Sequence, residues 1–411
     1  MKEGWEYKKL GEIATEMYRG SGIKRDQVTK EGTPCVRYGE IYTTYNISFD
    51  TCASHTKIEN VTSPKYFEYG DLLFAITGES VEDIGKTIAY LGDEKCLCGG
   101  DIICMKHHQN PKYLAYALST PDAIRQKGIG KTKLKVVHTN APALKAISIP
   151  LAPLSEQQSI VDYLDAAFAK IDAMKANAEK RLNEAQALFQ ASLKKMLEPK
   201  EGWEEKTLKE TCSVITDGTH HSPVNTANGK YKYVTAKNIK PWGLDLRNIT
   251  FVSEDVHKEI VSRCCPQKGD VLYIKDGATT GIAIVNPLDE EFSLLSSVAL
   301  IRPNKNIMLS EYLCYALNSP SIYEQTRSQM GGAAITRVTL VKIKGFTIPL
   351  PPLSEQQSIV ETLDSLKSKV DRLQANYEKI SQECDALKQA ILRQDFSGVR
   401  RIETSNIKTS I

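Results

Sequence analysis

The side chains best suited to chemistry in this 411-residue sequence are loop donors and acceptors rather than nucleophiles or metal ligands. Arg37-Tyr38, Thr43-Thr44-Tyr45-Asn46 and Lys86 in the first half carry directional N–H and O–H groups able to read base edges in a DNA groove. Thr219-His220-His221, Lys237-Asn238, Lys275 and Thr279-Thr280 do so in the second half. Two acid-free stretches supply charge for phosphates. From Ala123 to Ser155 no Asp or Glu occurs, while Arg125, Lys127, Lys131, Lys133, Lys135 and Lys145 do; Gln325 to Ser354 is also acid-free and holds Arg327, Arg337, Lys342 and Lys344. Local pattern has to carry this reading, because the net charge is only +3 and neither half is basic overall. Residues 1–153 hold 20 basic and 18 acidic side chains, and residues 201–352 hold 17 and 16. A solvated face is the competing role for the basic stretches, and an ordinary loop role for each single candidate. Lys275-Asp276-Gly277-Ala278-Thr279-Thr280-Gly281 reads equally as a backbone approach to DNA and as a tight turn after a strand.

Motifs for catalysis fail on spacing. Gly130-Lys131-Thr132 and Gly85-Lys86-Thr87 look like the ends of phosphate-binding loops, but the glycine required five positions earlier is Arg125 or Ser80. Asn110-Pro111-Lys112-Tyr113 is similar to the Asn-Pro-Pro-Tyr element with which adenine methyltransferases hold a flipped base. Lys112 replaces the second proline, and no glycine-rich cofactor turn precedes it. His107-His108 and His220-His221 lack a spaced third ligand, and Cys96-Leu97-Cys98 and Cys264-Cys265 lack zinc spacing, so no metal is expected. The ten cysteines follow no disulfide framework and read as free thiols. No run approaches the ~18 apolar residues of a membrane span, and the N-terminus has no signal-peptide core, so a cytoplasmic location without membrane contact is expected.

What must position these loops is one unit written twice. Pro150-Leu-Ala-Pro-Leu-Ser-Glu-Gln-Gln-Ser-Ile-Val returns as Pro349-Leu-Pro-Pro-Leu-Ser-Glu-Gln-Gln-Ser-Ile-Val, Gly70-Asp71-Leu72-Leu73 as Gly269-Asp270-Val271-Leu272, and Tyr113-Leu114 as Tyr312-Leu313. Between such landmarks the copies diverge: the stretch from Gly20 to Gln27 has no evident likeness to Asp217–Pro223.

After each Ser-Glu-Gln-Gln a long helix is expected, with Ser155 or Ser354 as its N-cap. Ile359, Leu363, Leu366, Val370, Leu373, Tyr377, Ile380, Cys384, Leu387 and Ile391 follow alternating steps of four and three, a coiled-coil seam. The first copy has Ile160, Leu164, Ala167, Ile171, Met174 and Ala178, then Arg181, where a stutter is expected. About 40 helical residues span ~60 Å, enough for a spacer. The nearest partner for each seam is the other copy, paired antiparallel about a pseudo-twofold axis. Simple packing of two helices that tie two domains together is the plainer reading.

Over essentially its whole length the chain resembles the specificity (S) subunit of type I restriction-modification enzymes. The twice-written Pro-Leu-Ser-Glu-Gln-Gln before a long helix is the strongest marker, with Thr77-Gly78-Glu79, Glu82-Asp83-Ile84-Gly85-Lys86, Gly99-Gly100-Asp101-Ile102 and Asp217-Gly218-Thr219-His220 alongside. The expected fold class is α+β: two α/β target recognition domains in an internal repeat, joined by two long antiparallel coiled-coil helices. The expected boundaries are 1–153 and 200–352 for the recognition domains, 154–199 and 353–396 for the helices, and 397–411 for a tail. The resemblance implies a non-catalytic chain whose two domains each read half of a bipartite site in double-stranded DNA. It also implies two methyltransferase subunits docked on the helices, with motor-nuclease subunits joining through them. S-adenosylmethionine, ATP and Mg2+ would then belong to those partners and not to this chain. A fused methyltransferase or nuclease, and a coiled-coil scaffold without DNA contact, are the other readings.

Overall fold

The computed structural model describes residues 3–130, 136–328 and 337–397. Lys131, Lys133, Lys135 and the tail beyond Ser397 therefore lie outside the described residues. Two compact units emerge: one joins the chain up to Ala178 to the segment from Glu378 onward, and the other is Glu179–Tyr377. The division cuts through both long helices, so each helix gives one half to each unit instead of standing apart from the heads.

In each unit an apolar run forms the middle strand of the main sheet. Leu72–Ala75 and Val271–Ile274 are buried throughout, which requires cover on both faces. Each follows a turn whose glycine is in the left-handed region, Gly70 at φ +88° and Gly269 at φ +89°, where a Cβ would be strained. The next residue's carboxylate closes that turn: Asp71 accepts the Glu68 N–H at 2.9 Å, and Asp270 accepts the Gln267 N–H at 2.7 Å. The cation that neutralises it comes from a neighbouring strand, Lys106 at 3.0 Å in one unit and Arg302 at 2.7 Å in the other.

The first unit's main sheet runs Glu16–Arg19, Ile102–Lys106, Leu72–Ala75, Thr87–Tyr90, Ser48–Phe49; the second's runs Cys212–Asp217, Val298–Pro303, Val271–Ile274, Ala283–Val285. Their registers coincide. Phe74 pairs with Ile103 and Ile103 with Arg19, as Tyr273 pairs with Ala299 and Ala299 with Asp217. Short helices, Pro111–Ala117 and Ser310–Leu317, place Tyr113 and Tyr312 in the two main cores.

The long helices are Leu154–Met196 and Leu353–Phe396. Both begin at the leucine before the serine, so Ser155 and Ser354 lie inside the first turn and are not N-caps; proline carbonyls accept the first amides instead, Pro153 from Glu156 at 2.8 Å and Pro352 from Glu355 at 2.9 Å. Within the first unit the two helix segments run antiparallel. Lys175 meets Asp385 at 3.3 Å, Lys388 meets Asp172, and Cys384 packs on Ile171. In the second unit Leu193 and Leu197 share a core with Ile359, Val360 and Leu363.

The seam departs from the expected one. Leu164, Ile171, Ile359 and Leu363 are buried, and Ile160, Leu366, Val370, Leu373, Tyr377, Ile380 and Ile391 are half-buried. Met174 and Leu387 are 58% and 47% exposed, whereas Val161, Phe168, Leu182 and Leu392 are buried. The first helix thus follows Val161, Leu164, Phe168, Ile171, Lys175, Ala178, Leu182, Ala185 and Phe189 in unbroken steps of three and four, and no stutter is needed at exposed Arg181. No helix among the described residues is long and apolar enough to cross a membrane.

Candidate nucleic-acid interface

The repeated Ser-Glu-Gln-Gln segment is an intramolecular clamp between helix and head. Glu156 accepts the indole N–H of Trp5 at 3.2 Å, and Glu355 that of Trp203 at 3.0 Å. The next glutamine is fully buried in both copies. Gln157 accepts the Asn110 N–H at 2.9 Å and donates to the Ala152 carbonyl at 2.9 Å; Gln356 accepts from Leu309 at 2.9 Å and donates to Pro351 at 2.8 Å. Two turns on, Asp165 accepts the Tyr116 hydroxyl at 2.7 Å and Asp364 that of Tyr315 at 2.6 Å. A buried amide satisfied on both ends fixes orientation as well as adding stability. Whatever each head presents is held rigidly against its helix segment.

At the end of the second main sheet the chain builds a linked charge array. Lys275, 1% exposed, lies 3.3 Å from Asp217 and 3.2 Å from Asp276. Asp217 also meets Arg263 at 3.1 Å and His220 at 3.3 Å, and Asp276 lies 3.3 Å from the exposed Arg337 across an antiparallel bridge. Two carboxylates thus hold a lysine, two arginines and a histidine. The outer cations keep donors free for a ligand while the buried lysine fixes their anchors. The turn between them is internally bonded, with the Thr280 hydroxyl donating to the Gly277 carbonyl at 2.7 Å and Gly277 and Gly281 at φ +103° and +107°. Thr279 is its exposed tip.

Among the described residues, the first head has no such array. Its counterpart bridge pairs Thr77 with His138, whose Oγ1 and Nδ1 are 3.1 Å apart, and buried Ile76 stands in the register of Lys275. Arg19, in the register of Asp217, reaches Asp101 at 2.8 Å and the Gly100 carbonyl. Gly20 and Gly218 share one place: a Cβ would come within 2.2 Å of the Gly99 oxygen in one and 1.8 Å of the Leu294 oxygen in the other. The two stretches read as unlike in sequence therefore share a framework position. Nearby, a cleft of about 580 Å3 is lined by Lys24, Arg25, Arg37, Tyr38, Thr43 and Asp101 among others. Arg37 is steadied there by Glu40, 3.6 Å away.

Several sequence candidates have inward duties. Tyr45 is buried, stacks on Phe49 at 4.2 Å and accepts the Ala53 N–H; burial pushes its phenol up to about 12. Asn238 is buried as a turn cap, accepting from Thr235 and donating to the Asp245 carbonyl. Lys275 and Thr280 are buried in the array and its turn. Lys86 donates to the Tyr45 carbonyl at 2.9 Å, and its partial burial lowers its pKa. Lys127 of the basic stretch turns fully inside, donating to the Leu118 carbonyl at 2.8 Å and to Thr87, and burial lowers it to about 7. Exposed are Thr43, Thr44, Asn46, His220, His221, Lys237, Thr279 and Arg337; Arg37, Thr219 and Lys342 are half-buried, and Tyr38 is 39% exposed. Sequence reasoning missed Arg19, Thr77, His138, Asp217 and Arg263 as members of these edges. Matching the repeats by strand register rather than by likeness would have singled out the first four; Arg263, on the Glu254–Arg263 helix, left no signal.

The family model for the type I restriction modification DNA specificity domain matches residues 2–184 and again 200–382. The chain is 23% identical to the putative type I restriction enzyme MjaX specificity subunit of Methanocaldococcus jannaschii, over 98% of this chain and 95% of that one. It is 24% identical to the EcoBI specificity subunit of Escherichia coli over 70% of this chain, a match spanning 65% of the relative's length. With the Escherichia coli EcoKI specificity subunit, 26% identical, the match spans 42% of the relative. Among solved structures, a chain from a study of complex assembly and conformational transition of the type I R-M system superposes with a TM-score of 0.76 at 21% identity, covering 96% of this chain and 98% of that one. The HsdS subunit from Thermoanaerobacter tengcongensis gives 0.55 at 19%, covering 97% and 98%. These structural likenesses speak to the fold. With the domain model matched twice across most of its length, the chain belongs to the type I restriction modification DNA specificity domain family.

Proposed function

We propose that this chain is the non-catalytic DNA specificity subunit of a type I restriction-modification complex, in which each head reads one half of a bipartite asymmetric site. The long helices set the gap between the halves and dock two methyltransferase subunits, through which motor-nuclease subunits join. S-adenosylmethionine, ATP and Mg2+ belong to those partners. One observation carries the reading: an identical clamp holds two heads whose exposed edges differ in chemistry, as two unlike half-sites served by like partners require. Candidate contacts are Arg37, Tyr38, Thr43, Thr44 and Asn46 on the first head, and Thr219, His220, His221, Lys237, Thr279, Arg337 and Lys342 on the second.

The test is single-molecule sequencing of DNA methylation in cells with and without this gene. The expected result is loss of one bipartite methylated motif. An unchanged methylome counts against the proposal, and methylation of DNA by the purified chain alone would establish the fused-enzyme reading instead.

A further inference from the structure

The two main sheets, compared position by position, separate framework from variable chemistry. At framework positions the residues match in kind: Asp71 with Asp270, Leu72 with Val271, Phe74 with Tyr273, Lys106 with Arg302. At one end of these sheets and just beyond it they cease to match. Arg19 stands where the second head has Asp217, Ile76 where it has Lys275, Thr77 where it has Asp276, and His138 where it has Arg337.

The backbone at this edge is nonetheless the same in both heads. Thr139 N–H bonds to the Ile76 carbonyl at 3.0 Å and Val338 N–H to the Lys275 carbonyl at 2.9 Å, and Thr77–His138 and Asp276–Arg337 are both antiparallel bridges. In each head the bridge then leads directly into a short helix capped by Asn140 or Thr339. A conserved backbone path with exchanged polar side chains is what a reading edge needs, since folding constrains the first and the target constrains the second. A purely structural bridge would have no reason to trade a hydrogen-bonded Thr–His pair for an ion pair backed by a buried lysine, which costs desolvation.

We infer that the cross-strand pairs Thr77–His138 and Asp276–Arg337 are specificity determinants, each helping to choose bases in the half-site read by its own head. The inference rests on the DNA-reading function proposed above. In the second head Arg337 is the direct reader. Its Nε lies 3.3 Å from the Asp276 carboxylate in an ion pair, and the side chain is 53% exposed; an arginine fork tethered this way suits guanine O6 and N7. Lys275 is a positioning residue that acts through Asp276. In the first head Thr77 and His138 offer a hydroxyl and an imidazole, a shorter and mixed donor-acceptor pair that selects a different base.

The experiment replaces the wild-type gene with one encoding Asp276→Thr with Arg337→His, which gives the second head the first head's pair, and sequences DNA methylation in the otherwise intact cell. The expected result is an altered or degenerate base in one half-site, with the other half-site and the gap unchanged; discrimination at that base falls roughly 10-fold. An unchanged motif, at normal or lowered occupancy, overturns the inference. If the double variant abolishes methylation, Arg337→Lys decides, because it keeps the charge opposite Asp276 while removing the fork: a relaxed base supports the inference and an intact motif overturns it. A wild-type chain on which no bipartite motif depends would instead sink the DNA-reading function itself, a result distinguishable from the others before any variant is made.

Discussion

Gln157 lies fully buried with its side-chain oxygen 2.9 Å from the backbone nitrogen of Asn110, so the helix is pinned to a loop of the head by an amide that has no access to water. Its neighbour Gln158 is exposed and bonds to the half-buried Asn110 side chain and to exposed Asp162. Removing the buried amide strands the Asn110 N–H and the Ala152 carbonyl. Gln157→Ala is therefore expected to destabilise the first unit by roughly 2–4 kcal/mol, and Gln356→Ala the second by as much. Gln158→Ala should change stability by less than ~0.5 kcal/mol. Thermal unfolding of the full chain measures all three, and equal effects at 157 and 158 would refute the clamp.

Arg302 grips Asp270 with two parallel bonds, Nε at 2.7 Å and a terminal nitrogen at 2.8 Å, and reaches the Cys265 carbonyl as well. Arg302→Met leaves a buried carboxylate beneath the turn that precedes the central strand. A loss of about 3 kcal/mol is expected, reduced from the fully buried case because the guanidinium is partly exposed. Arg302→Lys should lie between, losing the fork and keeping the charge. Denaturant midpoints of the three proteins provide the comparison.

His107 accepts the Gln109 N–H on Nδ1 at 3.1 Å, while its Nε2 is buried without a partner. Burial lowers its pKa to about 4 from an ordinary 6.5. Between those values the unfolded chain binds a proton that the folded chain refuses, so stability present above pH 6.5 is lost as pH falls toward 4, on the order of 3 kcal/mol in total. His107→Gln should flatten this part of the stability-against-pH curve. An identical slope in both proteins means that other groups set the acid limb.

All ten cysteines are unbridged, and of these Cys265 alone is exposed. A neutral maleimide is expected to modify Cys265 first under native conditions, with Cys212 and Cys314 slower and the buried thiols protected until unfolding. Mass spectrometry of a labelling time course reads the order directly. Early labelling of Cys98 or Cys104 would contradict the first core.

If the helices set the gap, inserting seven residues after both Ala178 and Tyr377 keeps heptad phase and adds ~10 Å of helix. The methylated motif should gain about three base pairs between its halves, at 3.4 Å each, with the half-site bases unchanged. Altered bases at a constant gap would show that the helices do not act as a spacer.

The repeat, the two long helices and the apolar central strands were legible because each rests on a local pattern: near-identity at a fixed offset, heptad steps, or four apolar residues after Gly-Asp. The seam was read one residue off at Met174 and Leu387 because the helices face a head as well as each other. Ile160 and Val161, or Ile391 and Leu392, are then both shielded, and two heptad frames fit the same hydrophobicity. Ser155 looked like a cap because Gln158 stands third after it as in a capping box, yet Gln158 bonds to Asn110 and Asp162 and a proline carbonyl takes the first amide. At the edges of the heads, residue type revealed polarity but not direction. Tyr45, Asn238, Lys275 and Lys127 carry the same groups as their exposed neighbours and turn them inward, a choice made by contacts distant in sequence.

Phe396 packs its ring at a tilt against Tyr113, centroids 5.2 Å apart, and shares a core with Leu392 and Trp5, so the first head is sealed by residues encoded after the whole of the second. On the ribosome, the N-terminal head must therefore wait with an oily socket open while the other head is made. Its final closure reports that translation has run through both reading modules, and a message cut short within the second yields a chain that cannot finish folding even its first.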